Sequence, residues 1–324
     1  TRVRSSAASD VYKRQGRKEI IDFNTYVLCG DGDLMEGVSY EAASLAGTLK
    51  LNKLIVLYDS NDICLDGSTS QCFTENVAMR FIAQGWNVIT VPDGNNILSI
   101  VKAIEDAKAS TDKPTLIEIK TTIGKYSKLE GTNLVHGSPL DKEDVSAIKE
   151  KMQIRDIPFT ISQITMDDFQ TLIHNRCKNL NDKFLKAVEN MDEEDKKSLM
   201  DFIEGHKSYD IKDILYEAPE DKAEATRVTS GKILSSIVPK YPTVIGGSAD
   251  LFAATKTYVK DAGDFTSDNY LGKNIFFGVR EHALGAILNG FALCGFHPYG
   301  STFLSFSDYL KPSIRMSCMM DLPV

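Results

Sequence analysis

Short apolar runs alternate with longer amphipathic stretches along most of the chain. The run TYVLCG at 25–30 is rich in β-favouring side chains and has the length of a buried parallel strand. After it come the alanine- and leucine-rich GVSYEAASLAGTLK, then KLIVLYDS, then VAMRFIAQG before NVITV, and NILSIVKAIEDAKAS before TLIEIK. Strand, helix, strand at this rhythm predicts βαβ units, and so a doubly wound α/β module with a parallel sheet covered on both faces. Between about 140 and 220 the pattern changes to charge-laced helical segments, LDKEDVSAIKEKM, MDDFQTLIHNRCKNL and DEEDKKSLMDFIEG, with no strand-like run between them. That stretch predicts a helical connector closed by YEAPEDKAEAT, whose proline and charges suit a boundary. A second α/β pattern then starts with TVIGGSAD, NIFFGV and EHALGAILNGFALCG, without a residue-level repeat of the first. It breaks off at DLPV, where a further strand is expected, so the second parallel sheet is read as incomplete.

The boundaries expected from this pass are 17–152 for the first module, 153–223 for the linker and 224–324 for the second module. The opening TRVRSSAASDVYKRQ is polar, aperiodic and without a packing face, so residues 1–16 are read as a foreign or disordered tail. A chain of 324 residues can bury two separate cores. Its 42% hydrophobic and 25% charged residues are those of a soluble globular protein. With a net charge of -8 the chain as a whole has no electrostatic footprint for nucleic acid or an anionic membrane. No apolar stretch reaches the roughly 18 residues that span a bilayer. The six cysteines, Cys29, Cys64, Cys72, Cys177, Cys294 and Cys318, show neither C-x-x-C nor paired spacing, which argues against a zinc site and a disulfide framework and for a reducing cytoplasm.

Candidate chemistry starts where the first strand ends, at Gly30-Asp31-Gly32. In open α/β sheets ligands bind at the carboxyl ends of the strands, and the two glycines permit sharp backbone dihedrals and close approach of an anion. A dinucleotide fingerprint would need glycine where Met35 stands. A calcium loop counted from Asp31 would need glycine and glutamate where Glu36 and Ala42 stand. A tight turn with a helix-capping aspartate remains open. Asn61 follows the next strand thirty positions after Asp31, about one strand-helix-strand crossover, so both side chains are expected at the same sheet edge. A carboxylate, an amide oxygen and a main-chain carbonyl are hard ligands that suit magnesium completed by phosphate and water.

Gly-Asp-Gly, a crossover and an asparagine after an apolar strand resemble the thiamine-diphosphate binding motif, and the flanking residues resemble the transketolase family. The stretch GDGDLMEGVSYEAASLAGTLKLNKLIVLYDSNDICLDG is similar to that family's diphosphate-binding (PP) domain, and VHGSPL, ATR, GGSADL, GVREHALGA and PYGSTFLSF follow in family order. The similarity runs over roughly 17–152 and 224–324, which makes the second module the pyrimidine-binding (PYR) domain. It implies that Asp31, Asn61 and the Ile63 carbonyl hold Mg2+, or Ca2+ or Mn2+ in its place, with Gly30 and Gly32 against the diphosphate. Glu281 is implied as the catalytic carboxyl that hydrogen-bonds the aminopyrimidine and promotes its imino tautomer; such a group must hold a proton near neutral pH, which an apolar setting favours. Read without the resemblance, Glu281 is a helix N-terminal glutamate favouring the dipole.

By the same resemblance Phe303, Phe306 and Tyr309 surround the aminopyrimidine, Phe306 by stacking, although their i, i+3, i+6 spacing also reads as a core-facing stripe. His136 is implied beside diphosphate and substrate, Arg227 on the sugar phosphate and Asp250 near the cofactor. Glu36 and Glu41 match dimer-interface glutamates, and otherwise read as polar positions on an amphipathic helix. The chain departs from the family at Ala254, where a phosphate-binding serine is usual. The family's early histidines and glycine-rich loop would lie before residue 17 and its later substrate residues after 324, so the resemblance implies an internal piece of a longer enzyme, inactive alone. That enzyme would move a two-carbon ketol unit from a ketose phosphate to an aldose phosphate, as a homodimer whose active sites combine Asp31 of one subunit with Glu281 of the other. Dihydroxyacetone synthase, deoxyxylulose-phosphate synthase and a non-catalytic cofactor-binding subunit are the alternatives.

Overall fold

The computed structural model describes residues 22–155, 157–203, 216 and 223–324. The expected tail at 1–16 lies outside the described residues, as does most of the boundary segment YEAPEDKAEAT. The first strand, Thr25–Gly30 (β1), runs directly into the five-residue helix Asp31–Met35 (α1), and after Glu36 into Gly37–Thr48 (α2). Then follow Leu54–Ser60 (β2), a hairpin of Ile63–Cys64 (β3) and Gly67–Ser68 (β4), Val77–Ala83 (α3), Asn87–Val91 (β5), Ile97–Lys108 (α4) and Thr115–Lys120 (β6). The sheet has the order β1-β2-β6-β5 and every pairing in it is parallel. Gly30 pairs with Asp59 and Asp59 with Ile119, so β1, β2 and β6 end at one edge.

Side-chain alternation along β2 produces the two covered faces. Ile55 packs with Ala103 and Ala107 of α4, while Leu54, Val56 and Tyr58 pack with Ala43, Ala46 and Phe81 of α2 and α3. A strand buried on both faces carries a near-continuous apolar run, as LIVLY does here.

Lys142–Lys151 (α5) closes the first module, and the connector carries Gln163–Glu189 (α6) and Glu193–Ile203 (α7). Asp141 and Ser162 cap α5 and α6 by accepting from Asp144 N and Thr165 N. The second module contains Thr226–Ile237 (α8), Val244–Ser248 (β7), Phe252–Thr255 (α9), Asp264–Phe265 (β8), Asn274–Phe276 (β9), Glu281–Leu293 (α10), His297–Ser301 (β10) and Ser307–Met319 (α11). Its parallel sheet has the order β10-β7-β9-β8. Both α/β patterns read from the sequence are therefore present as separate parallel sheets.

One apolar cluster runs through both modules. Phe81, Trp86 and Leu116 belong to it from the first, and Leu284, Ile287 and Phe291 of α10 from the second. Polar bonds fix the same junction: Arg280 Nη2 of the second module donates to Ser44 Oγ of the first at 3.0 Å. The Tyr270 hydroxyl reaches the carbonyls that end α2, at Leu49 and Lys50. Close packing also dictates Gly47, where a Cβ would stand 1.8 Å from the Gln84 carbonyl oxygen.

Gly47→Ala tests that contact against propensity. Alanine would favour the helix by about 1 kcal/mol, but the clash is with backbone, which cannot rotate away, and overpacking of this kind costs about 1–3 kcal/mol or more. The expected outcome is a lower urea midpoint with an unchanged slope.

Candidate cofactor site

Asp31 is the first residue past β1 and is only 4% exposed. Its Oδ1 accepts from the Tyr58 hydroxyl at 2.5 Å, and its Oδ2 accepts from the main-chain amides of Asn61 (3.2 Å) and Asp62 (3.1 Å). These bonds tie the ends of β1 and β2 together, because the register brings the two tips side by side. Asn61 is held in turn: its Oδ1 accepts from Ile63 N at 3.0 Å. Asp31, Asn61 and Ile63 thus form one hydrogen-bonded group. The sequence reading missed Tyr58, whose only signal was a hydroxyl-bearing ring on the otherwise aliphatic strand LIVLYDS.

Asp31, Tyr58, Ser60, Asp62 and Lys120 line a polar cavity of about 300 Å³. Lys120, the cation in that lining, is engaged by Glu118 at 3.0 Å and by Ser60 Oγ at 2.8 Å. Asp31 makes no ion pair among the described residues. A buried carboxylate with hydrogen bonds but no cation, next to an amide oxygen, is a donor set that fits a divalent ion. The glycines serve space rather than dihedral freedom, which corrects one expectation. Gly30 has φ -112°, and its N–H donates to Asp33 Oδ2 at 2.8 Å as an ordinary helix cap. A Cβ on Gly32 would meet nothing within 4 Å, so this backbone is open to an approaching anion.

His136 lies in an exposed loop, where its amide donates to Asn133 O at 3.0 Å. That loop is tied to the hairpin after Asn61, since Asn133 Nδ2 donates to Leu65 O at 3.0 Å. It is tied to α5 through Asp144, which accepts from Lys128 N at 3.1 Å. The histidine is therefore held next to the Asn61 hairpin by bonds of its neighbours.

The second group centres on Glu281, the first residue of α10 and 6% exposed. Its Oε1 accepts from Thr302 Oγ1 at 3.2 Å, while Oε2 takes no partner among the described residues. Thr302 is the residue before Phe303, so this bond ties Glu281 to the segment that carries the aromatics. Phe303 and Phe306 stack at 6.0 Å and 20°, and both remain exposed along with Tyr309. The alternative of a core-facing stripe fails here: all three rings are at the surface of the chain. Asp250 stands just past β7 with φ 61°, an uncommon left-handed conformation for a non-glycine residue, and is exposed. Arg227 is exposed on the first turn of α8, and Ala254 sits within α9. No bond joins either residue to Glu281.

Among the described residues no hydrogen bond joins the Asp31 group to the Glu281 group within this chain, but α2 connects the elements that carry them. Glu36 is not on an amphipathic helix face; it is the cap residue between α1 and α2. Glu41, from the middle of α2, accepts from Ala283 N at 2.8 Å and so supplies the capping oxygen that α10 lacks from its own Arg280. Sequence reading had no signal for this bond, which spans 242 positions.

A family model described as the transketolase thiamine diphosphate binding domain matches residues 3–207, and one described as the transketolase pyrimidine binding domain matches 222–324. Fold and site thus define a two-module α/β protein of the thiamine-diphosphate-binding class. The transketolase of Geobacillus stearothermophilus is 46% identical over 321 residues, 97% of this chain and 48% of that protein. That of Bacillus subtilis is 46% identical over 314 residues, 94% of this chain and 47% of that one. Among solved structures, transketolase from Campylobacter jejuni matches with a TM-score of 0.89 at 39% identity, covering 99% of this chain and 50% of that chain. A Pichia stipitis transketolase in complex with sedoheptulose 7-phosphate matches with a TM-score of 0.89 at 37% identity, covering 98% and 50%. The chain belongs to the transketolase family and spans about half the length of the relatives it matches.

Two substitutions test the geometry without any ligand. Tyr58→Phe removes one hydrogen bond to a buried charge and is expected to cost about 1.5–3 kcal/mol. Glu41→Ala removes the oxygen that caps α10 and is expected to cost about 1 kcal/mol. Both are read as shifts of the urea midpoint; an unmoved midpoint in Glu41→Ala would mean that the cap does not hold α10.

Proposed function

We propose that the protein of which this chain is part is a transketolase, a transferase that passes a two-carbon ketol unit from a ketose phosphate to an aldose phosphate. The observation that carries the reading is the Asp31 carboxylate: buried, held by Tyr58, Asn61 and Asp62, without a cation among the described residues, and beside the open backbone of Gly32. Asp31, Asn61 and the Ile63 carbonyl would hold Mg2+, Ca2+ or Mn2+, and Gly30 and Gly32 would leave room for the diphosphate. Thiamine diphosphate, when bound, supplies the nucleophilic carbon through which a ketol unit can pass between sugars. Glu281, with Oε2 unengaged, would hold and move a proton at the pyrimidine ring, and Phe303, Phe306 and Tyr309 would bound that ring, Phe306 by stacking.

His136 would hydrogen-bond the diphosphate and the substrate, Asp250 would lie near the cofactor, and Arg227 would grip a sugar phosphate with its planar fork. Sugar phosphates as substrates are supported by the Pichia stipitis structure, whose ligand is sedoheptulose 7-phosphate. Ala254 leaves that phosphate without a hydroxyl donor at this position. A homodimer belongs to the reading, because Asp31 and Glu281 form separate groups within one chain and would meet across a subunit interface. The domain limits proposed are 17–152, 153–223 and 224–324, in agreement with one sheet between Thr25 and Lys120 and another between Val244 and Ser301. A reducing, cytoplasmic setting is part of the reading, supported by six free thiols.

Calorimetric titration of the chain with thiamine diphosphate, with Mg2+ and then with chelator, tests the site. Binding is expected to need the metal and to weaken at least about 100-fold in Asp31→Ala, the size of loss that follows removal of a buried hydrogen-bonded charge. In the extended reading frame, Glu281→Gln is expected to retain binding while ketol transfer falls about 10²–10⁴-fold. Metal-independent binding, or full activity of Glu281→Gln, would overturn the assignment. Turnover with pyruvate as donor in place of a ketose phosphate would point to deoxyxylulose-phosphate synthesis instead.

A further inference from the structure

The second module holds a lysine whose charge has hydrogen bonds but no counter-ion. Lys273 lies just before β9, where its main-chain amide donates to Ala262 O at 3.0 Å and to Gly263 O at 3.1 Å. Gly272 permits this close approach, since a Cβ there would stand 2.1 Å from the Asp264 carbonyl oxygen. The half-buried side chain then runs to the end of α8, where Nζ donates to Val238 O and, at 2.8 Å, to Tyr241 O. A cation is favoured there, because the last carbonyls of a helix lack intrahelical partners and carry the negative end of the dipole. An ammonium has three N–H donors. Among the described residues the third donor finds no acceptor, and no carboxylate pairs with the group. The ammonium lines a cavity of about 240 Å³. Ile245, Tyr270 and Phe296 are its buried walls and belong to the apolar cluster shared by both modules, while Pro242 and Leu271 are exposed at its mouth.

We propose that this cavity is a binding site for a small apolar monocarboxylate, whose carboxylate takes the remaining N–H of Lys273 and whose apolar body fills the space beside Ile245, Tyr270 and Phe296. An apolar cavity of about 150 Å³ already holds benzene, so this one has room for a ring and a head group. A neutral ligand leaves the ammonium without an anion, and inorganic phosphate brings more charge into an apolar space than one ammonium can match. Burial alone lowers the Lys273 pKa to about 8. None of the titratable side chains around it contributes: Lys240 and Tyr241 after α8, Asp261 and Asp264 beside Gly263, Tyr270, and His297 next to Phe296. None of the lining residues belongs to the Asp31 or Glu281 group, so the site stands apart from the proposed function. It reaches the rest of the molecule through Tyr270, whose hydroxyl holds the carbonyls that end α2. A ring packed on Tyr270 therefore steadies the junction of the two modules.

Calorimetric titration of the folded chain with benzoate at pH 7 tests the site, with benzamide and inorganic phosphate as comparison ligands. Benzoate is expected to bind one to one, and the other two at least about 10-fold more weakly, because a desolvated charge left unpaired is costly. Lys273→Met keeps the stem and removes the charge, and is expected to abolish the preference for benzoate over benzamide; Lys273→Arg keeps the charge and is expected to retain it. The pH dependence has a definite sign. An anion favours the protonated amine, so benzoate affinity is full below the pKa of about 8 and falls about 10-fold between pH 7 and pH 9. Lys273→Arg stays charged over that range and is expected to lose nothing. Should Lys273→Met fail to fold by circular dichroism, the benzamide comparison and the pH profile of the wild type decide. The absence of benzoate binding, equal binding of benzoate and benzamide, undiminished affinity in folded Lys273→Met, or a flat pH profile in the wild type would each overturn the proposal. Phosphate that binds as tightly as benzoate and displaces it would overturn the assignment to an apolar monocarboxylate.

Discussion

The structure around the candidate site depends on one buried carboxylate. Removing a charge from water costs several kcal/mol unless it is hydrogen-bonded and paired, and Asp31 meets that cost in part with a phenol and two main-chain amides. Those donors come from β2 and from the turn after it, so satisfying Asp31 also fixes the relative position of two strand ends. Asn61 takes its orientation from the same turn through Ile63 N. Among the described residues no cation matches the negative charge, at a place where glycine backbone opens toward solvent. A site built in this way is organised before any ligand arrives, and binding need not bear the entropy of ordering it.

The second constraint is the helix that starts six residues later. α2 packs its small residues against α10 within a single apolar cluster and sends Glu41 to the N-terminus of that helix. A carboxylate at a helix N-terminus is favourable both as a hydrogen-bond acceptor and as a charge facing the dipole. The same helix start carries Glu281, which Thr302 orients from the end of β10. Position is thus transmitted from the first sheet edge through α2 to the carboxyl on which proton chemistry would depend.

Much of this was legible in the chain itself. TYVLCG, KLIVLYDS, NVITV and TLIEIK are strands in the structure, and the helices between them fall where the alanine- and leucine-rich stretches stand. The crossover length put Asn61 at the same edge as Asp31. Other readings went astray for identifiable reasons. The glycines around Asp31 were expected to supply unusual dihedrals, whereas the space they leave is what counts at Gly32. The aromatic spacing of Phe303, Phe306 and Tyr309 was compatible with a core stripe, because periodicity tells which residues share a face and not what covers it.

The sequence by itself determined the element order, the two α/β patterns, the charged helices between them and the sheet edge that Asp31 and Asn61 share. These follow from local properties: side-chain period, β-branching, caps and the reach of a strand-helix-strand crossover. Only the tertiary structure decided that Tyr58 secures Asp31, that Glu41 caps a helix 242 residues away, and that Thr302 holds Glu281 from the end of β10. Each of these is a bond that a side chain makes to a different element. Its existence depends on how helices and sheets pack rather than on what any one segment prefers.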